Sequence, residues 1–170
     1  DFRKDNALRL METYRDQVLS FNDDIQGTGA VALAGVFSAL RLTDATLYNS
    51  KVLIHGAGAA GIGISRQIRA ALIDARVAEP HRHLCVLDSR GLIVDDAPAS
   101  DAYKAEMAWP AELADEFGLQ DKPSRQLAAV VTAFQPNIII GASGQAGAFS
   151  QAIIETMSNY CERPIVLPFS

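Results

Sequence analysis

Residues 51–61 read KVLIHGAGAAG, and this stretch decides the fold. An apolar run at 52–54 leads into three glycines spaced as G-x-G-x-x-G, and the residues that follow suit a helix. A continuous apolar run of this kind is typical of a strand buried on both faces in a parallel sheet. A glycine-rich turn between such a strand and a helix exposes backbone amides and a helix N-terminus to a phosphate group. The stretch therefore predicts a strand, a turn and a helix that bind the pyrophosphate of a dinucleotide.

Similar apolar runs recur at 84–88, 137–141 and 164–168, and helix-like segments separate them. Helices are expected at 6–19, 30–40, 61–75, 124–134 and 148–159, whereas residues 95–122 have weak periodicity and suggest a surface excursion. Strands that alternate with helices favour parallel pairing. The predicted fold class is α/β, Rossmann-like, with a mainly parallel sheet and helices on both faces.

Size and charge narrow the class of protein. With 170 residues, 49% of them apolar, the chain can bury one substantial core, and no linker divides it. The net charge of -5 and the absence of a basic stripe argue against a nucleic-acid partner. No continuous apolar run approaches the roughly 20 residues of a membrane span, and residues 1–9 are too charged for a secretory signal. We expect a cytoplasmic protein without membrane contact, and the mitochondrial matrix stays open as an alternative.

The glycine turn supplies the first candidate cofactor residues. Gly56, Gly58 and Gly61 would let backbone approach a pyrophosphate, with Ala59 and Ala60 between them. The alternative is a tight strand-to-helix turn whose small residues serve packing alone. The strand and helix on either side favour the cofactor interpretation.

Asp88 ends the second predicted strand, where a carboxylate can accept hydrogen bonds from both hydroxyls of a ribose. Its alternative role is an Asx turn before Gly91. Ser89 and Arg90 follow, and a hydroxyl beside a guanidinium could accommodate a 2′-phosphate, so NAD and NADP both stay open. Lys104 is a further possible phosphate partner, although a lone lysine in a polar segment is usually solvated.

Two other residues near the predicted turn have alternatives. His55 precedes the first glycine and could contact the cofactor, but a histidine at a strand end is more often a structural residue with satisfied hydrogen bonds. Ser143 resembles a nucleophile, but no histidine with an orienting acid is identifiable near it. We interpret the segment around Ala142 and Ser143 as a loop that faces the nicotinamide.

Asp23 and Asp24 stand in the stretch FNDDIQGT at 21–28, directly before an apolar helix for which Thr28 is the expected cap. Two adjacent carboxylates there can hold a divalent cation, or they can stabilise the positive end of the helix dipole. The residues alone leave both possibilities open.

Taken together, these segments resemble the malic enzymes over essentially the whole chain. The matching blocks are the start of the chain (DF at 1–2), FNDDIQGT at 21–28, the glycine turn at 56–61, DSRGL at 88–92, the segment 141–149 and ERPI at 162–165. The resemblance implies one NAD(P)-binding domain over 1–170, preceded by short helical segments that carry part of a metal site.

The resemblance also implies residue roles. Asp1 and Asp24 would ligate Mg²⁺ or Mn²⁺, and Asp23 would lie beside the catalytic general base. Thr28, Gly58, Ala59, Asp88, Ala142 and Ser143 would line the NAD or NADP site. The implied reaction is the oxidation of malate and loss of carbon dioxide to give pyruvate, by an enzyme expected to be a homo-oligomer at full length.

Parts of the family pattern are missing from the sequence. The catalytic tyrosine and lysine of the family, and the glutamate that precedes Asp1 in its metal motif, would lie upstream. We therefore expect the isolated chain to bind dinucleotide weakly and to leave malate unreacted. Malolactic enzyme, which forms lactate from malate, and a dinucleotide-sensing module without catalysis are the alternatives.

Overall fold

The computed structural model describes residues 3–97 and 101–169, which form one sheet with helices on both sides. The strands are β1 (Val52–His55), β2 (Leu84–Asp88), β3 (Gly91–Leu92), β4 (Ile138–Gly141) and β5 (Ile165–Pro168). The helices are α1 (Lys4–Tyr14), α2 (Thr28–Leu42), α3 (Ala59–Asp74), α4 (Ala102–Ala105), α5 (Ala111–Glu116), α6 (Leu127–Phe134) and α7 (Gln151–Ser158). A π-helical turn (Asp23–Gly27) runs into α2, and short 3-10 turns occur at Leu47–Asn49 and Pro80–Arg82.

The sheet order is β3-β2-β1-β4-β5. The pairs β1–β2, β1–β4 and β4–β5 are parallel, whereas the short β3 runs antiparallel to β2. From β1 the chain moves to β2 on one side, and it later returns to the other side of β1 to form β4. The direction of strand addition thus reverses between β1 and β4, which opens a crevice at the carboxyl ends of these strands.

Alternate strand residues face two separate apolar cores. Val52 and Ile54 pack with residues of α2 and α3, whereas Leu53 between them packs with residues of α6 and α7. Both faces of the sheet are therefore covered, and this explains why the strands read as continuous apolar runs. The predicted α/β, Rossmann-like class, with a mainly parallel sheet and helices on both faces, is confirmed.

The start of α2 differs from the prediction. Thr28 does not cap the helix, because the π-helical turn before it continues directly into α2. The side chain of Asn22 is the cap instead, and its Oδ1 accepts from the backbone N–H of Ile25 at 3.0 Å. α1 is also shorter than expected, since it ends at Tyr14 and leaves Val18 and Leu19 exposed.

Between residues 101 and 122 the chain is not only the surface excursion that weak periodicity predicts for 95–122, because part of it packs in the core. Trp109 is buried, and its indole Nε1 donates to the carbonyl oxygen of Leu84 at 2.7 Å. Leu113 and Leu119 are buried in the same core, against Phe134 of α6. Because α5 has only six residues, it is too short to display a helical repeat in the sequence.

The helical stretch Asp23–Leu42 has 20 residues and a mean hydropathy of 1.3, so by length and composition alone it could cross a bilayer. Within the described residues one side of it packs against α3, and 28% of its most apolar window is buried. Gly29 lies so close to α3 that an added Cβ would stand 2.8 Å from the carbonyl oxygen of Gly63. The expectation of no membrane contact stays a prediction.

Candidate functional site

A cleft of about 300 Å³ lies at the carboxyl ends of β1, β2 and β4, where the sheet order reverses. Open sheets with this connectivity bind their ligands in this crevice. The cleft is lined by His55, Gly56, Ala57, Gly58, Asp88, Ser89, Lys104, Ala142, Ser143 and Gln145. Six of them are residues that the sequence predicts to bind the cofactor: Gly56, Gly58, Asp88, Ser89, Ala142 and Ser143.

Gly56 and Gly61 have structural reasons to be glycine. Gly56 has a φ of 121°, a conformation that L side chains rarely adopt, and a Cβ there would overlap the carbonyl of Ala142. A Cβ on Gly61 would overlap the carbonyl oxygen of Gly56. These two glycines let β1, α3 and the loop after β4 approach one another. Ala59, Ala60 and Gly61 form the first turn of α3, and none of the three lines the cleft.

At Gly58, by contrast, neither backbone conformation nor packing within the described chain requires a glycine. Its φ is -78°, which any residue can adopt, and no heavy atom lies within 4 Å of an added Cβ. It is the N-cap residue of α3, yet no side chain caps the helix there. A bare helix N-terminus behind a residue without a side chain fits a pyrophosphate that approaches the backbone closely. The residues present therefore fit a dinucleotide.

Asp88 is 7% exposed and both of its carboxylate oxygens are engaged. Oδ1 accepts from the backbone N–H of Arg90 at 2.7 Å, which is the Asx turn considered as its alternative role. Oδ2 accepts from Nζ of Lys104 at 2.6 Å. Burial opposes ionisation, but the hydrogen bonds from Lys104 and Arg90 outweigh it and hold the pKa of Asp88 below its ordinary value. The carboxylate is therefore charged and oriented at the edge of the cleft.

Ser89 and Arg90 are placed differently from each other. Ser89 lines the cleft beside Asp88. Arg90 has a side chain that is 66% exposed, its guanidinium lies 3.6 Å from Asp88 Oδ2, and it lines the adjacent groove instead. Of the two, Ser89 is the one that a ligand in the cleft would meet.

The loop after β4 forms the opposite wall of the cleft. The backbone N–H of Ala142 donates to the carbonyl oxygen of His55 at 2.8 Å, which ties this loop to the end of β1. Ser143 Oγ accepts from the backbone N–H of Gln145 at 3.2 Å. Its hydroxyl thus helps to shape the turn, and Ser143 and Gln145 both face the cleft.

The aspartate segment packs on α3, close to the glycine turn. Ile25 is buried, and its carbonyl lies so close to Gly63 that an added Cβ there would overlap it. Asp23 and Asp24, the two residues directly before Ile25, are exposed. Thr28 does not line the cleft, and its Oγ1 donates to the carbonyl oxygen of Asp23 at 3.2 Å.

The carboxylates fit a metal ion in type but supply few ligands. Asp23 and Asp24 offer the hard oxygen donors that Mg²⁺ and Mn²⁺ prefer. Within residues 3–97 and 101–169, however, no group of three or more histidine, cysteine, aspartate or glutamate side chains could hold a metal ion. Asp1, the other predicted ligand, lies outside the described residues.

Lys104 and His55 also line the cleft, although the sequence favours a solvated lysine and a structural histidine at these positions. Lys104 is not solvated but pairs with Asp88, and its side chain is only 15% exposed. His55 is 8% exposed, and its Nδ1 has no hydrogen-bond partner among the described residues, so it is not the satisfied structural histidine that we expected. Burial lowers the pKa of His55 below 6.5. No sequence pattern predicts the pairing of Lys104 or the burial of His55, because both arise from tertiary packing between separate elements.

The chain matches a family model described as "Malic enzyme, NAD binding domain" over residues 25–170. It is 40% identical to the malolactic enzyme of Lactiplantibacillus plantarum, and the match covers the whole chain and 31% of that protein. It is also 40% identical to the mitochondrial NAD-dependent malic enzyme of Saccharomyces cerevisiae, over the whole chain and 25% of that protein. The chain thus spans less than a third of these relatives.

The fold resembles solved structures of the same group. The NAD-dependent malic enzyme of Thermotoga maritima superimposes with a TM-score of 0.70 at 23% sequence identity, over 94% of this chain and 38% of that one. At this identity the likeness speaks for the fold alone, whereas the family model covers most of the sequence. The chain therefore belongs to the malic enzyme family, in which it corresponds to the NAD-binding domain.

Proposed function

We propose that this chain is the cofactor-binding part of a longer enzyme that oxidises and decarboxylates malate to pyruvate and carbon dioxide. The observation that carries the proposal is the cleft at the switch point of the sheet, where Gly58 leaves the N-terminus of α3 open beside the charged Asp88. Family membership supports the same assignment.

In this proposal the chain holds the dinucleotide from three sides. The backbone at Gly58 and the first turn of α3 bind the pyrophosphate, because their amides are uncapped and no side chain stands in front of them. Asp88 accepts hydrogen bonds from the adenosine ribose, and Ala142 and Ser143 border the nicotinamide half. A dinucleotide held in this way would supply the hydride acceptor for oxidation of the hydroxy acid at C2.

The choice between NAD and NADP depends on Lys104 and Asp88. In the structure they form an ion pair of 2.6 Å at the edge of the cleft. A free ribose 2′-hydroxyl would donate to Asp88, whereas a 2′-phosphate would be repelled by Asp88 and attracted to Lys104. We propose NAD as the cofactor, in line with the family description, and NADP as the alternative that Lys104 favours.

We further propose that Asp24 and Asp1 contribute to a Mg²⁺ or Mn²⁺ site, with Asp23 supporting the general base. Such oxygen donors would hold a divalent cation, which would supply a Lewis acid for the substrate carbonyl during loss of carbon dioxide. Asp24 is exposed and belongs to a turn fixed on α3 through Ile25, so its carboxylate is available to a cation. The complete enzyme would be a homo-oligomer of the cytoplasm or the mitochondrial matrix.

Malolactic chemistry is the second candidate, because a malolactic enzyme and a malic enzyme are equally similar to this chain at 40% identity. An enzyme that contains this domain would release pyruvate with net reduction of the cofactor in the first case, and lactate without it in the second. Measuring both products of malate with the complete enzyme separates the two.

Binding and turnover test the proposal at two levels. Calorimetric titration of the 170-residue chain should detect weak but saturable NAD binding. The same chain should leave malate unreacted in the presence of NAD and Mn²⁺, since the expected catalytic tyrosine and lysine are not in it. Malate-dependent reduction of NAD by the chain alone would contradict the proposal that catalysis needs residues outside this chain. Absence of NAD binding by the folded chain would contradict the cofactor role.

A further inference from the structure

Among the described residues that line the cleft, His55 is the one with a buried side-chain nitrogen that has no hydrogen-bond partner. It stands at the end of β1, lines the cleft and is 8% exposed. Its Nδ1 is enclosed and has no hydrogen-bond partner in the described part of the chain. By contrast, Nδ1 of His83 at the other end of the sheet lies 2.9 Å from the carbonyl oxygen of Ser50. A buried polar group without a partner costs stability, so its presence beside a ligand cleft calls for a functional reason.

The residues around the His55 imidazole favour its neutral form. Phe149 packs against it with ring centroids 6.2 Å apart, which makes one side of the imidazole apolar. Protonation would place an N–H bond on each ring nitrogen, and the one on Nδ1 would have no acceptor. Of the titratable groups that line the cleft, Lys104 disfavours a second positive charge, and Asp88 already accepts from Lys104 and Arg90. The loop after β4 contributes Ser143, Gln145 and Phe149, none of which titrates. His55 is therefore neutral.

The position of the proton follows from the same geometry. A neutral imidazole carries one N–H and one lone pair. A proton on Nδ1 would be buried without an acceptor, whereas a proton on Nε2 leaves only a lone pair in the enclosed position. Nδ1 is the enclosed ring nitrogen and Nε2 is not enclosed in this way, so Nε2 is the nitrogen available to a ligand in the cleft that His55 lines.

We propose that His55 is a neutral hydrogen-bond donor to the bound dinucleotide, through Nε2–H to an oxygen of its ribose or pyrophosphate. The inference rests on the proposed cofactor role of the cleft and adds a binding residue to it. The donor is rigid, since β1 holds the backbone and Phe149 holds the ring.

Two substitutions separate this role from packing. In His55→Gln the terminal amide places an N–H donor near the position of Nε2, whereas in His55→Leu the donor is lost and the apolar contact with Phe149 is kept. We expect NAD to bind His55→Leu about 3- to 10-fold more weakly than the wild-type chain, the effect of one neutral hydrogen bond. His55→Gln should recover most of the affinity. His81→Leu is the matched control, because His81 lies outside the cleft and is exposed.

Nitrogen NMR of the imidazole rings reads the tautomer directly, and the chain has only three histidines. In the wild-type chain the His55 signals should be those of a neutral ring protonated at Nε2, and NAD should shift the Nε2 signal. A ring protonated at Nδ1, or equal NAD affinities of folded His55→Leu and the wild-type chain, would overturn the inference alone. If the wild-type chain fails to bind NAD at all, the proposed cofactor role falls with it, so the two failures are distinguishable.

Discussion

Substitution of Gly58 and Gly61 by alanine should separate ligand binding from folding. At Gly58 the added Cβ meets no atom of the chain within 4 Å, and the φ of -78° suits alanine. The free energy of unfolding should change by less than about 1 kcal/mol, because the gain from a less flexible unfolded chain opposes the weaker N-cap. The methyl group would nevertheless stand where a pyrophosphate approaches. Loss of one charge-assisted hydrogen bond there, worth about 1.5–3 kcal/mol, weakens NAD binding about 10- to 100-fold.

At Gly61 the same methyl group would overlap the carbonyl oxygen of Gly56. Gly56 cannot retreat, since it is already packed against the backbone of Ala142. Forcing the first turn of α3 away from β1 should cost about 1–3 kcal/mol, as overpacking does in other cores. For a chain of this size that lowers Tm by about 2 to 12 °C.

Thermal unfolding and calorimetric NAD titration of both variants check the reasoning. Gly58→Ala should melt like the wild-type chain and bind NAD poorly, whereas Gly61→Ala should melt early. If Gly58→Ala kept full NAD affinity, the pyrophosphate would not lie at the N-terminus of α3. If Gly61→Ala kept the wild-type Tm, the claim that Gly61 packs against the carbonyl of Gly56 would be contradicted.

Three further substitutions probe the cleft and the core. Burial lowers the pKa of His55 below 6.5, so below this pH the unfolded chain binds a proton that the folded chain binds less readily, and stability should fall as the pH drops. In His55→Gln this fall should be smaller, as measured by melting curves from pH 5 to 8. Lys104→Met removes a hydrogen bond to Asp88 and should raise the pKa of Asp88 towards its ordinary 3.8, which carbon NMR of the carboxyl group measures. The same substitution should weaken NADP binding more than NAD binding, and equal losses for both cofactors would contradict the role of Lys104. Trp109→Phe removes the donor to the Leu84 carbonyl and should lower the free energy of unfolding by about 1–3 kcal/mol in urea titrations, whereas an unchanged stability would mean that this bond contributes nothing.

The parallel sheet could be predicted from the sequence because each central strand is buried on both faces and reads as an unbroken apolar run. The glycine turn could be predicted because its spacing reflects local backbone geometry at Gly56 and Gly61. Short elements escaped prediction: β3 has two residues, and α5 has six, too few to display a periodicity. Trp109 lies in the segment 95–122, for which weak periodicity predicts a surface excursion, yet it packs in the core beside Phe134.

The chemistry of the cleft was less predictable than its position. The pairing of Lys104 with Asp88 joins residues that are 16 positions apart and belong to different elements. The enclosed Nδ1 of His55 depends on a loop that returns only after β4. Local patterns record which residue types are present at such places, but the partners of a buried polar atom are set by tertiary packing.

Backbone amide NMR of the 170-residue chain, titrated with NAD, tests the central claim most directly. Saturable shift changes are expected at 56–61, 88–89 and 142–143, at the carboxyl ends of β1, β2 and β4. A folded chain whose spectrum does not change at millimolar NAD, or changes only at residues remote from this cleft, would contradict it.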